Sequence, residues 1–223
     1  MFNSLIQTHF LYKQLIFRMI KKIVFIIFTF QILTCFGQKE HLIPVTFNNE
    51  NNLNIYFSNL NKLFFNELNE IPHARYFTAP SFSNEYAFSI EKENKKYLIV
   101  SITPSESYWR AKNKEKIKFE IQKKEIKKQL YRKIGVLFQI LAKQTKNYEN
   151  EVFKTDGDTY YFITSDNKSK IKIGETWSPN KNSNMGELVS ICNNLYEIGR
   201  NDQISLDEID SKIDKLIVEL KKD

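Results

Sequence analysis

The sequence is poor in the residues that build common catalytic and cofactor-binding motifs. It has six glycines in 223 residues, and none belongs to a glycine-rich loop that cradles phosphates. Its two cysteines and three histidines form neither a disulfide framework nor a metal-ligand spacing such as H-E-x-x-H. The sequence therefore excludes nucleotide binding by such a loop and predicts no cofactor and no metal.

Arginine is also scarce among the basic residues. It occurs only as Arg18, Arg75, Arg110, Arg132 and Arg200. Recognition of bases and phosphates favours the planar guanidinium group over the lysine ammonium, and acids such as Glu115, Glu120 and Glu125 interrupt the most lysine-rich stretch. Nucleic acid is therefore not among the predicted partners.

No apolar run is long enough to span a membrane stably. The run Ile23–Phe36 contains 14 residues, or about 21 Å of helix against a hydrocarbon core of about 30 Å. It follows two lysines, Lys21 and Lys22, which is the arrangement of a basic n-region before an apolar h-region. This favours a signal peptide over a membrane anchor.

The end of this segment also suits signal peptidase. Cys35 and Gly37 occupy the −3 and −1 positions for a cut before Gln38. We therefore predict a signal peptide over residues 1–38, cleaved at Gly37 and Gln38, and a protein exported to the periplasm or secreted. After cleavage no stable transmembrane span is expected.

Three alternatives concern the same segment. Leu33-Thr34-Cys35 resembles a bacterial lipobox, which would make the protein a lipoprotein anchored through Cys35. Retention as a signal anchor is the second alternative. Met19 opens a complete signal by itself, so residues 1–18 are also consistent with an over-extended gene start.

Removal of the leader leaves residues 39–223, enough for a single domain with one core. The leader carries four basic residues and no acid, so the net charge falls from +7 to +3. Cys192 then stands alone at a helical spacing among apolar residues, and we interpret it as an inert core thiol.

Hydrophobic periodicity predicts an α+β domain. The predicted order is a helix from Phe57 to Pro72, a hairpin over 86–102, a candidate edge strand over 117–122, a helix over 126–141, a hairpin over 159–176, and helices over 185–196 and 206–220. Residues 75–84 are interpreted as an extended connector. Asn184 with Glu187, and Ser205 with Glu208, stand at capping-box separations.

The predicted fold class is therefore an antiparallel sheet of two hairpins plus a candidate edge strand, with about four helices packed mainly on one face. One face of such a sheet is left to a terminal helix or to a ligand. Tyr160, Tyr161 and Phe162 place aromatic side chains on both faces of one strand, and Trp177 follows its partner strand. Since Trp and Tyr near loops can stack on a ligand, the candidate binding residues are Trp177, Tyr161 and Tyr160.

Other polar residues carry weaker functional interpretations. His73 beside Arg75 is typical of a solvated or capping residue, and Ser81 lacks the glycine elbow of a nucleophile. Asp156-Gly157-Asp158 suggests a calcium loop, but Tyr160 and Phe162 stand where further ligands should follow. We interpret this stretch as a turn before the strand at Thr159.

The end of the chain resembles a family of small exported proteins from Bacteroidetes. The resemblance rests on Asp156–Phe162 (DGDTYYF), Gly174–Pro179 (GETWSP) and Ser183–Ile191 (SNMGELVSI), and the leader ending Cys35–Gln38 is similar to signal peptides of that family. Asp158 stands where the pattern has threonine. The resemblance covers about the last third of the domain and implies an exported location. The function of that family is unknown, so no activity or catalytic residue follows from the resemblance.

We predict a non-catalytic binding or interaction protein that recognises a protein or peptide, because no acid-base or metal constellation is evident. Catalytic residues are not identified, and the sequence leans against an enzyme. One alternative is a hydrolase built from dispersed carboxylates such as Glu85, Glu175 and Asp156. A second is an inhibitor or immunity-type protein that blocks a partner enzyme.

Overall fold

A computed structural model describes residues 41–46, 52–147, 156–200 and 203–222, together with Lys21. The remaining predictions for the leader, including Gly37, Gln38 and the lipobox at Cys35, lie outside the described residues. The chain divides into two units, Met1–Gln38 and Lys39–Asp223, and the fold below is that of the second. None of the described helices is long and apolar enough to cross a membrane.

The described part of the second unit contains a seven-stranded antiparallel sheet. In chain order its strands are β1 Ile43–Pro44, β2 Ala74–Ala79, β3 Ala87–Glu93, β4 Lys96–Pro104, β5 Phe119–Ile126, β6 Thr159–Ser165 and β7 Ile171–Trp177. Their order across the sheet is β1-β7-β6-β2-β3-β4-β5. Both predicted hairpins and the edge strand are present, but the prediction understated the sheet.

The main omission is β2, which was interpreted as a connector. This strand pairs with β3 on one side and with β6 on the other, so it joins the two hairpins into one sheet. Tyr76 and Phe77 are both fully buried on opposite faces. A strand buried on both faces lacks the alternation of apolar and polar residues that marks a half-exposed strand. Periodicity therefore did not predict β2 as a strand.

The described residues form four α-helices: α1 Asn52–Phe65, α2 Lys128–Gln144, α3 Asn184–Gly199 and α4 Leu206–Leu220. Helices α2, α3 and α4 pack on one face of the sheet. Helix α1 packs on the other face together with the β4–β5 loop. The helices are therefore mainly on one face, as predicted, yet the second face is also covered.

The three-helix face is built from regular amphipathic helices. Leu137 and Phe138 of α2 are buried with Phe162 of β6. Helix α4 begins at the predicted cap, since Ser205 accepts a hydrogen bond from the amide of Glu208 at 3.4 Å. Helix α3 begins one residue earlier than its predicted capping box, because Ser183 is the residue that caps it, through the amide of Gly186 at 3.1 Å.

Gly135 lies in the middle of α2, where a larger side chain would clash with a neighbour. The imidazole of His73 stacks on the Tyr131 ring with centroids 3.9 Å apart, and its Nε2 donates to the Tyr131 carbonyl oxygen at 3.0 Å. A Cβ at Gly135 would lie 2.4 Å from the His73 ring. The glycine thus makes room for the histidine, and His73 is a packing residue rather than an anion ligand.

The α1 face contains a buried ion pair. Arg75 of β2 lies 3.4 Å from Glu91 of β3, and both side chains are nearly inaccessible. Ser89 donates to Glu91 at 2.5 Å, and Asn69 donates to its other carboxylate oxygen. Arg75 also covers the Phe65 ring at 4.9 Å, so the C-terminal end of α1 is joined to the sheet by a polar network.

Candidate functional site

The candidate site lies at one end of the sheet. Because the sheet is antiparallel, β2, β4 and β7 end where β3, β5 and β6 begin. The segments 80–86, 105–111 and 156–158 therefore meet at this end, together with Trp177. We call this surface the loop end.

Glu85 organises the loop end from inside. Its side chain is 1% exposed, and its carboxylate accepts hydrogen bonds from the amides of Tyr108 at 2.9 Å and Trp109 at 3.0 Å. Ser107 Oγ donates to it at 3.3 Å, and the Tyr56 hydroxyl of α1 donates at 2.7 Å. A buried carboxylate with four donors holds a loop firmly, since charge-assisted hydrogen bonds are about twice as strong as neutral ones.

The Tyr56 hydroxyl of α1, which donates to Glu85, is held in its protonated form. Burial, followed by the hydrogen bond to Glu85, raises the pKa of Tyr56 well above its usual range. Tyr56 thus remains a donor that connects α1 to the loop. Its ring also packs edge-on against Trp109, with centroids 5.0 Å apart.

Two aromatic side chains project from this fixed frame into solvent. Trp109 is 62% exposed and Phe82 is 75% exposed. Their loops are adjacent, because the guanidinium of Arg110 donates to the Phe82 carbonyl oxygen at 3.4 Å and to Asn84 Oδ1 at 3.2 Å. The sequence did not single out Trp109 or Phe82, although Tyr108-Trp109 within a polar, lysine-rich stretch was a usable signal.

Further contacts extend the loop end to the Asp156-Gly157-Asp158 turn. Ser81 Oγ donates to the Gly157 carbonyl oxygen at 2.6 Å, and its amide donates to Asp158 Oδ1 at 3.3 Å. The chain bends at 156–157, directly before β6 as predicted, and oxygens of Gly157 and Asp158 accept hydrogen bonds within the chain. A Cβ at Gly157 would lie 2.7 Å from Trp177 Nε1, so a larger residue there would displace the Trp177 side chain.

The three predicted binding residues occupy different environments. Trp177 is half-buried at the loop end. Tyr160 is half-buried on the three-helix side, and its hydroxyl donates to Asp158 at 3.3 Å. Burial, then the charge of Asp158, raises the pKa of Tyr160 to about 12.

Tyr161 lies in the core on the α1 face. It is 1% exposed and stacks on Phe77 with centroids 4.5 Å apart. Phe57 of α1 lies 4.9 Å away, so the helix that covers Tyr161 is the first and not the terminal helix. Of the three predicted residues, only Trp177 and Tyr160 have accessible surface near the loop end.

The chain segment that carries Trp109 is predominantly positive. The described segment 105–118 exposes five cations, whose residues are Arg110, Lys112, Lys114, Lys116 and Lys118. Only Glu106 and Glu115 oppose them among its exposed side chains. The ammonium of Lys114 lies 5.0 Å from the Tyr108 ring centroid, so the basic side chains begin next to the aromatic ones.

Two of the carboxylates of the hydrolase alternative, those of Glu85 and Glu175, form hydrogen bonds within the chain. Glu85 is committed to the 105–111 loop, and Glu175 is buried beside Tyr161, whose hydroxyl it binds. Three strand intervals separate β7 from β3, or about 14 Å of backbone at about 4.8 Å each. Asp156 is exposed. The three residues therefore lie on separate backbone segments, and Glu85 and Glu175 both have hydrogen-bond partners within the chain.

Among the described residues no cluster of three or more histidine, cysteine, aspartate or glutamate side chains could hold a metal ion. Comparisons of the chain with protein-family models, with curated proteins and with solved structures find no match.

Proposed function

We propose that this protein is an exported, non-catalytic interaction protein that binds a protein partner through the loop end. One observation carries the proposal: the buried carboxylate of Glu85 fixes a loop that presents the exposed Trp109 side chain. Contact aromatics that are held in place lose little conformational entropy on binding. Trp and Arg are also enriched at the energetic centres of protein interfaces, and here Trp109 and Arg110 are adjacent in sequence.

The exposed positive charge indicates the chemical class of the partner. Five exposed cations accompany Trp109 and Phe82, so the complementary surface presents acidic side chains around an apolar one. A neutral sugar fits less well, because Glu85, the carboxylate nearest to Trp109, is buried and already accepts four hydrogen bonds. An acidic protein segment matches both features.

The test is partner capture with matched variants. Trp109→Ala and Phe82→Ala should abolish capture of a specific protein from an envelope extract, whereas Val218→Ala, which removes an exposed apolar side chain on α4, should leave capture unchanged. Capture should also weaken as salt is raised, because exposed charges are screened. Binding that survives both loop-end substitutions would refute the proposal.

The nature of the captured protein separates the related functions. A single stoichiometric enzyme that loses activity in the complex identifies an inhibitor or immunity-type protein. Selective capture of an acidic polysaccharide or nucleic acid instead of a protein would contradict the proposed partner class.

Export is proposed from the leader and from the resemblance to exported Bacteroidetes proteins. The measurement is mass spectrometry of the protein isolated from its host. A mature chain beginning at Gln38 supports cleavage, and a lipid-modified Cys35 at the N-terminus supports the lipoprotein alternative. Unmodified peptides that run intact from Leu33 through Cys35 and Gly37 into Gln38 overturn both.

A further inference from the structure

The edge strand β5 has a free side. It pairs with β4 along its whole length, and no other described strand pairs with its outer edge. An open edge of eight residues exposes backbone donors and acceptors that can pair with another strand. What occupies such an edge is decided by the side chains beside it.

The charged side chains of β5 differ between its two faces. On the α1 face, Lys123 pairs with Glu93 at 2.8 Å and Glu125 pairs with Lys96 at 3.0 Å. On the three-helix face, Glu120 and Lys124 lie opposite Thr103 and Ile99 of β4. Neither makes an ion pair with a described residue, although Gln122 donates to Glu120 at 2.7 Å.

We propose that β5 pairs with β5 of a second copy of this chain, antiparallel about a two-fold axis through Gln122. Such an axis is perpendicular to the sheet and keeps each face on its own side, so paired residue numbers must have an even sum. An axis through Gln122 places Glu120 of each copy opposite Lys124 of the other, so the interface contains two such pairs. Cross-strand pairs of opposite charge stabilise a sheet, and like charges directly opposite destabilise it.

The neighbouring registers are disfavoured by the same rule. A two-fold axis through Ile121 places Lys118 opposite Lys124 of the second copy. An axis through Lys123 places that lysine opposite itself. The sequence of β5 therefore favours the Gln122 axis over a shift by one residue in either direction, a preference that an edge guarded only by lysines would not show.

Gln122 supplies an independent observation at the proposed axis. Its Oε1 is buried and has no hydrogen-bond partner among the described residues, an arrangement that is rare in folded proteins. Two Gln122 side chains facing each other across a two-fold axis can exchange amide hydrogen bonds after a small side-chain rotation. The dimer would thereby satisfy the oxygen.

Charge exchange tests the register. The chain, purified in the form that its host produces, should sediment as a dimer at micromolar concentration. Glu120→Lys and Lys124→Glu should each weaken dimerisation by at least about tenfold, and the double variant should restore it. Trp109→Ala should leave the dimer unchanged, so this result is independent of the proposed partner. A monomer throughout the micromolar range, or a double variant no better than the single ones, overturns the proposal.

Disulfide trapping tests the axis. Gln122→Cys places two thiols in directly opposed positions, whose Cα atoms are about 4.5–5.5 Å apart in an antiparallel pair, within reach of a disulfide. Ile121→Cys is the matched control, since its copies would be about 8 Å apart. Cys192 is buried and should not react. Oxidation should cross-link only the Gln122→Cys variant; cross-linking of both variants or of neither contradicts the register.

Discussion

The two faces of the sheet both have an apolar core but differ in the buried charged groups that they contain. On the three-helix face the core is apolar, and Phe138, Leu137 and Ile134 of α2 are almost fully buried. The α1 face, by contrast, holds every charged residue that is buried in the described part of the chain, namely Arg75, Glu85, Glu91 and Glu175. Apolar burial is strong but non-directional, whereas a buried carboxylate fixes the position of each donor around it.

This difference assigns different roles to the two faces. Both faces contribute an apolar core, and the α1 face also holds the charged groups that fix the geometry of a solvent-exposed loop. Glu85 and the Arg75–Glu91 pair both lie beneath α1, and Glu85 supports Trp109. We therefore expect core substitutions on the first face to unfold the protein, and charge substitutions on the second to alter the loop end or α1 at a smaller cost.

The largest effect should come from the three-helix face. Phe138→Ala removes a buried ring that contacts Phe162 and should lower the free energy of unfolding by about 4 kcal/mol. Chemical denaturation measures this change. Val136→Ala on the exposed side of the same helix is the control, with an expected change within about 0.5 kcal/mol; equal losses from both variants would show that α2 is not packed as described.

Arg75→Met should cost somewhat less, about 3 kcal/mol, because it leaves Glu91 buried without its cation. Arg75→Met combined with Glu91→Gln removes both charges while keeping an acceptor for Ser89. The double variant should recover more than half of the loss in the same denaturation experiment. No recovery would mean that the charges themselves stabilise the α1 face.

Glu85→Gln should cost about 2 kcal/mol, because one amide group would turn its N–H atoms toward the donors that now bind a carboxylate. The distinctive readout is hydrogen exchange, where the amides of Tyr108 and Trp109 should lose protection. Glu106→Gln changes an exposed acid on the same loop and should leave both amides protected. Unchanged exchange in Glu85→Gln would remove Glu85 as the anchor of the loop.

Gly135→Ala should reverse the usual effect of this substitution. Alanine normally stabilises a helix interior by about 1 kcal/mol relative to glycine, but here its Cβ would lie 2.4 Å from the His73 ring. We expect a loss of about 1.5 kcal/mol from the forced displacement. In a His73→Ala background the same substitution should become stabilising, and failure to change sign would refute the steric explanation.

The smallest effect should be a pH dependence from His73. Burial lowers its pKa, and the hydrogen bond to the Tyr131 carbonyl and the charge of Glu91 offset this only in part. Below about pH 6.5 the unfolded chain takes up a proton that the folded chain resists. Stability contributed by neutral His73 is therefore present above that pH and lost as pH falls toward the folded pKa. His73→Phe should flatten this part of the stability profile, and an unchanged slope would assign it to other groups.

Local sequence signals predicted the parts of the fold that depend on neighbours in the chain. The two hairpins, the edge strand and helices α2 to α4 follow from periodicity and turn composition, and the Ser205 cap was placed correctly. Strand β2 was missed because it is buried on both faces and carries Arg75, whose charge is compensated by Glu91 from another strand. A local sequence pattern cannot predict that Arg75 forms an ion pair with a residue 16 positions away.

The candidate site was predicted only in part for the same reason. Trp177 was recognised from its position after a strand, and it does lie at the loop end. Tyr161 was chosen by residue type, but its burial depends on α1 folding back over β6. Trp109 was not predicted as a site residue, because the position of its loop depends on Glu85. Glu85 lies 24 residues earlier and accepts a hydrogen bond from the Trp109 amide.

The amino-acid sequence by itself determined the α+β class, the identity of most elements and the absence of a recognisable catalytic motif, because these depend on periodicity, turn residues and composition. Only the tertiary structure decided that both sheet faces are covered, that Glu85 binds the amides of a distant loop, and which aromatic side chains reach solvent. Burial and hydrogen bonding are relations between distant segments, and they exist only when the chain has folded.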